Sequence, residues 1–148
     1  MSPLDWAFLP LQRYFDFAGR SPRSEYWWFY LLVSILSMAC GWIDLAVDPT
    51  AVVGVASLLV SLATIIPLLA VSVRRLHDRN RSGWNLLKPP APGIVMAILA
   101  AFGPFGLFVG TIIFVGTCLW LVVLLCLPGT SGPNHYGEHP YGLQYYAT

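Results

Sequence analysis

A chain of 148 residues with 57% hydrophobic and 10% charged residues and a mean hydropathy of +0.67 is too apolar for a soluble domain, where about 25% of residues are charged. The formal net charge of +1 conceals a segregation, because all eight Lys and Arg fall in residues 13–23 or 74–88. Two short basic blocks beside apolar runs exclude the broad basic face of a nucleic-acid binder and fit the positive-inside pattern of a membrane protein.

Residues 1–21 mix Trp6, Phe8, Leu9, Leu11, Tyr14, Phe15 and Phe17 with Asp5, Arg13, Asp16 and Arg20. Pro3, Pro10 and Gly19 prevent one long helix, so the segment is expected to lie in the headgroup layer as an amphipathic interfacial element. Ser21 is the expected N-cap of the next helix, with Pro22 at its first position and Glu25 in its positive-dipole first turn. The first span is predicted over 22–47, with Tyr26, Trp27 and Trp28 as an aromatic belt and an uncharged run of 18 residues to Ile43. Asp44 and Asp48 flank the following turn and are most simply solvated. Cys40, Cys118 and Cys126 each sit in an apolar run, which favours packing over disulfides. Cys40 in L-S-M-A-C fits a lipoprotein cleavage pattern poorly, so the first span is read as an uncleaved anchor.

The second span with a cytoplasmic extension is predicted over 51–81, built on the 23 uncharged residues Ala51 to Val73. Pro67 predicts a kink. If the helix continues past Val73, Arg74 and Asp78 stand four apart, and Ser82-Gly83 supplies the stop before Trp84 returns to the interface. Pro89-Pro90-Ala91-Pro92-Gly93 is expected to break any early helix after that, and Gly103-Pro104 to break the stretch 94–127 in its middle. One helix over its 34 residues would be about 50 Å long, more than a membrane needs. A short helical hairpin is preferred, giving an all-α, small polytopic bundle of four membrane helices in a single domain, with both termini inside. Three full spans with the C-terminus outside is the rival. The tail, 128–148, reads as polar turns.

The candidate site is the junction where the second span turns basic: Arg74, Arg75, His77, Asp78, Arg81, Ser82 and Trp84, joined by Arg20, Arg23 and Glu25 from the first helix entrance. Guanidinium groups bind phosphate or carboxylate through paired hydrogen bonds, and a carboxylate can orient one arginine while others stay free for an anion. The plain alternative is topological, since arginines near span ends attract anionic lipid and set orientation. Adjacent helical residues such as His77 and Asp78 do not face each other, and no nucleophile elbow is present, so no catalytic residue is assigned. His135, Glu138 and His139 imitate a metal motif, but Gly137 and Pro140 place them in a turn, and neither metal nor cofactor is expected.

Three stretches then fit one pattern: F-D-F-A-G-R-S-P-R-S-E-Y-W-W at 15–28, P-L-L-A-V-S-V-R-R-L-H-D-R-N-R-S-G-W at 67–84, and L-P-G-T-S-G-P-N-H-Y-G-E-H-P at 127–140. Together they closely resemble domain of unknown function 805, the YhaH-like bacterial inner-membrane proteins. The resemblance implies a small multi-pass inner-membrane protein, and it adds Asn134 and Tyr136 to the candidate residues; the cytoplasmic N-terminus is expected from the placement of the basic blocks. It implies no reaction. The apolar region between Trp84 and Pro128 is longer than the family's usual single segment. The expected function is therefore non-enzymatic: a cytoplasmic-face cluster that binds anionic phospholipid headgroups, a small anion, a membrane-protein partner or a second copy of the chain. A small transporter or channel, or an enzyme acting on a membrane-embedded phosphate ester, are the alternatives.

Overall fold

The computed structural model describes residues 2–88 and 90–140. Among them the order is α1 (Pro3–Gln12), α2 (Arg23–Val47), α3 (Val55–Asp78), a 3-10 turn (Gly83–Leu87), α4 (Pro90–Ala100) and α5 (Pro104–Cys126), with no strand. Among the described residues three helices have the length and apolarity to cross a membrane: α2, α3 and α5, with 25, 24 and 23 residues. At 1.5 Å per residue these are about 34 to 38 Å long, whereas the 11 residues of α4 reach only about 16 Å.

Local chemistry accounts for each boundary. Ser2 caps α1 in a reciprocal capping box with Asp5, and Pro10 is carried inside that helix and does not end it. Ser21 is not the cap of α2. Pro22 holds that position without a side-chain bond, and Ser21 is a buried crossing point whose N–H donates to Arg74 O at 3.1 Å. α3 ends at Asp78, three residues earlier than the predicted extension to 81. The stop is Asn80, which takes φ +54° so that its own N–H reaches His77 O and that of Arg81 reaches Leu76 O. This is a Schellman closure, with asparagine tolerating the left-handed conformation.

The prolines at 90 and 92 begin α4, contrary to the expected break, because the first turn of a helix needs no N–H from them. The break at Gly103-Pro104 is present: Gly103 has φ +84° and Pro104 starts α5. α4 then runs back along α5. A Cβ at Gly110 would lie 2.8 Å from Met96 Cα and one at Gly106 would strike Leu99 O, so glycine permits this close approach.

The buried core lies at one end of the bundle, where α2 begins and α3 and α5 finish: Tyr26, Phe29, Val71, Leu76, Leu124 and Leu125. Elsewhere the helices expose Leu31, Ile35, Met38, Leu62, Ile65, Phe108 and Ile112, among others. Such continuous apolar surface is what lipid covers. At the opposite end Asp44 is not simply solvated. Its carboxylate accepts from the N–H groups of Ala56 and Ser57, each at 2.8 Å, and so caps α3 from the neighbouring helix.

Candidate functional site

Three arginines are buried at the core end: Arg20 at 6% exposure and Arg74 and Arg75 at 0%. Two buried carboxylates accompany them, Glu25 and Asp78. A buried charge is tolerable when it is paired and its donors are bonded, and five different parts of the chain supply the partners, leaving Arg74 Nε the one donor of the three buried arginines without an acceptor among the described residues.

Arg74 donates to Glu25 Oε1 at 2.7 Å and to the carbonyls of Arg13, at 3.4 Å, and Asp16. Arg75 donates to Asp78 Oδ2, to Leu125 O at 3.1 Å and to Leu127 O. These two carbonyls belong to the C-terminal turn of α5, whose orphan acceptors carry the negative end of the helix dipole. Arg75 is therefore a cap supplied by one helix to another. Arg20 completes the group. Its Nε donates to Asp78 Oδ1 at 3.0 Å, and its other nitrogens reach Gly132 O at 2.6 Å and Thr130 O at 2.7 Å. The pairing thus differs from the i,i+4 spacing of Arg74 and Asp78: Asp78 bridges Arg20 and Arg75, and Arg74 takes Glu25 across the helix pair.

The tail is fastened to the same point. Thr130 N–H donates to Asp78 O at 2.8 Å, and Asn134 Nδ2 donates to His77 O and to Thr130 Oγ1, both at 2.9 Å. Asn134 Oδ1 accepts from Tyr136 N–H in an Asx turn, which sets the Tyr136 ring on His77, 3.8 Å between centroids and 5° from parallel. His77 Nδ1 donates to Gly19 O at 3.2 Å. A Cβ at Gly129 would strike the Asp78 carboxylate, so glycine is required where the tail passes it.

Of the residues singled out in the sequence, Arg20, Glu25, Arg74, Arg75, His77, Asp78, Asn134 and Tyr136 come together. Arg23, Arg81, Ser82 and Trp84 lie outside the buried ion-pair group, and all four are exposed. Arg23 reaches only Cys126 O, at 3.5 Å, and Ser82 caps the 3-10 turn through Trp84 N–H. Arg79 donates to Pro128 O at 2.7 Å. Nε of Arg74 and of Arg79 are buried without an acceptor among the described residues. The clustered arginines are accordingly engaged by the protein's own carboxylates and carbonyls and are not held open for an anion.

Residues the sequence reading did not place at this site include Thr130, Ser21, read there only as a helix cap, and the loop after α1. There Arg13 pairs with Asp16 at 2.7 Å, and this hydrogen bond, ahead of one from Ala18 N–H, holds the Asp16 carboxyl below the usual carboxylate range. Tyr14 Oη donates to Ala63 O at 2.7 Å. Ala63 stands four residues before Pro67, which has no N–H to offer that carbonyl. Among the described residues no three His, Cys, Asp or Glu groups stand close enough to hold a metal ion.

The family model described as a protein of unknown function, DUF805, matches residues 14–138. The chain is 36% identical over 140 residues to inner membrane protein YhaI of Escherichia coli K12, covering 93% of this chain and 96% of that protein. It is 31% identical over 141 residues to inner membrane protein YhaH of the same strain, covering 93% and 97%. It is also 34% identical over 144 residues to the uncharacterized protein YiiR, covering 90% and 91%. No solved structure gives a significant match.

Proposed function

Because the chain belongs to the DUF805 family, of which two similar Escherichia coli proteins are named inner membrane proteins, we propose that it is a non-enzymatic inner-membrane protein. Its basic end lies in the cytoplasmic headgroup layer and engages anionic phospholipid. The observation that carries this reading is a division of labour among basic residues on one face. Arg20, Arg74 and Arg75 are consumed in the fold, whereas Arg23, Arg81 and Lys88 are exposed at the same end. The opposite end, with Asp44 and Asp48, has no Lys or Arg. A basic cytoplasmic face opposite an acidic outer loop is the orientation that positive charge imposes, and each exposed cation near an anionic leaflet contributes about 1 kcal/mol.

In this arrangement α1 lies in the interface with Leu4, Phe8 and Leu11 toward lipid, and α2 and α3 cross. α4 is a short fourth membrane helix that returns through α5, so that both chain ends face the cytoplasm. Trp28 and Trp84, both exposed, sit at headgroup level as amphipathic anchors. Reporter fusions at each terminus test the topology, and an outward-facing C-terminus would refute it. Lipid engagement is tested by tryptophan quenching with brominated phosphatidylglycerol against brominated phosphatidylcholine. The wild type should prefer the anionic lipid several-fold, and a variant with Arg23→Gln, Arg81→Gln and Lys88→Gln should lose that preference. An unchanged preference would overturn the assignment.

A further inference from the structure

A cleft of about 400 Å³ opens between α3 and the 3-10 turn, within the 300–1,000 Å³ range of small-molecule sites. Its walls are aliphatic: Leu69 and Val73 from α3, Leu86 and Leu87 from the turn, with Phe17 and Trp84 adding aromatic surface. Glycine is needed to bring the two sides together, since a Cβ at Gly83 would lie 2.9 Å from Val73 Cγ1. Leu69 is 46% exposed on a helix of span length, so the cleft is continuous with the surface that lipid covers.

The polar groups of the cleft are His77 and Ser82. His77 has its Nδ1 proton committed to Gly19 O and its ring orientation set by Tyr136. Nε2 is therefore the nitrogen left to a ligand, accepting when the ring is neutral and donating when it is charged. Beside Ser82, the exposed Arg81 has no carboxylate partner among the described residues. An apolar slot entered from the lipid side, ending in an oriented imidazole and a hydroxyl, with the exposed Arg81 next in sequence to that hydroxyl, matches an acyl chain joined to an anionic head.

We propose that this cleft seats one acyl chain of an anionic phospholipid drawn from the surrounding leaflet, with its phosphate near Ser82 and Arg81 and a hydroxyl of its glycerol headgroup donating to His77 Nε2. The inference rests on the headgroup-level placement of this face, and it adds to general surface attraction a defined lipid position.

The test uses the full chain in phosphatidylcholine vesicles containing trace chain-labelled spin-labelled phosphatidylglycerol or phosphatidylcholine. The wild type should show at least about twice the motionally restricted fraction for the anionic lipid. Val73→Trp, which fills the cleft, should remove that excess. Leu87→Trp fills it from the other wall and serves if Val73→Trp does not fold. His77→Gln with Arg81→Gln should equalise the two lipids while a restricted fraction remains. An excess that survives both filled variants would sink the cleft as the site. If Val73→Trp and Leu87→Trp keep the excess while the brominated-lipid preference depends on Arg23, Arg81 and Lys88, only this inference fails; if that preference is absent altogether, the broader reading fails first. Benzoylphenylalanine in place of Trp84 supplies an independent readout. Photolysis should add the mass of a phospholipid, and an adduct with the chain's own C-terminal residues or with a second protein would refute the lipid occupant.

Discussion

Replacing Tyr14 with phenylalanine removes one oxygen atom and isolates one interaction. Pro67 lies fully buried in α3 and has no N–H, so the carbonyl of Ala63 has no donor in its own helix. Tyr14 Oη supplies one at 2.7 Å, from a loop that the rest of the chain treats as a strap across the helix. Within a hydrocarbon-facing helix no water replaces a missing donor, so Tyr14→Phe strands the carbonyl and should cost about 1–3 kcal/mol. The measurement is thermal or denaturant unfolding in detergent. Pro67→Ala provides the control, because alanine restores the intrahelical N–H to Ala63 O. In that background Tyr14→Phe should be nearly neutral, and the double-mutant cycle should give a coupling of about 1 kcal/mol or more. Equal costs in both backgrounds would show that Tyr14 contributes through its ring and not through this bond, and the reasoning would be wrong.

Four further outcomes follow from the same structure. Asp78→Asn removes the carboxylate shared by Arg20 and Arg75 and should destabilise by about 3–5 kcal/mol, read as a lower unfolding midpoint. Gly129→Ala should cost about 1–3 kcal/mol in the same assay by driving a methyl into that carboxylate. A Leu at Gly110 should separate α4 from α5 at Met96, visible as a fall in distance-selective crosslinking between cysteines placed on the two helices. Asp16 has a folded-state pKa depressed chiefly by its bond to Arg13, so its contribution is present above the unfolded value and lost as pH falls below about 4. Asp16→Asn should flatten the acid limb of the melting-temperature profile below that pH, and an unchanged limb would contradict the assignment.

The span positions were legible because a membrane helix announces itself by an uninterrupted apolar run, which needs no knowledge of neighbours. The basic junction at residues 74–84 and the likelihood of its meeting Arg20 and Glu25 were legible too, since unlike charges at the same end of adjacent helices must find each other. What the arginines hold was not. Arg20 reaches acceptors 110 and 112 residues away at Thr130 and Gly132, and Arg75 reaches Leu125 and Leu127. All four acceptors are backbone carbonyls, which every residue carries and no side-chain pattern marks. The bond from Tyr14 to Ala63 was hidden for the same reason, although Pro67 flagged the orphaned carbonyl. Asp44 looked like a loop charge because its partners are the N–H groups of another helix. The sequence by itself determined the two apolar runs that became α2 and α3 and where the positive charge gathers. Only the tertiary structure decided which charges are consumed inside the fold and which remain exposed, because that depends on which helix ends and which turns of the tail are brought alongside them.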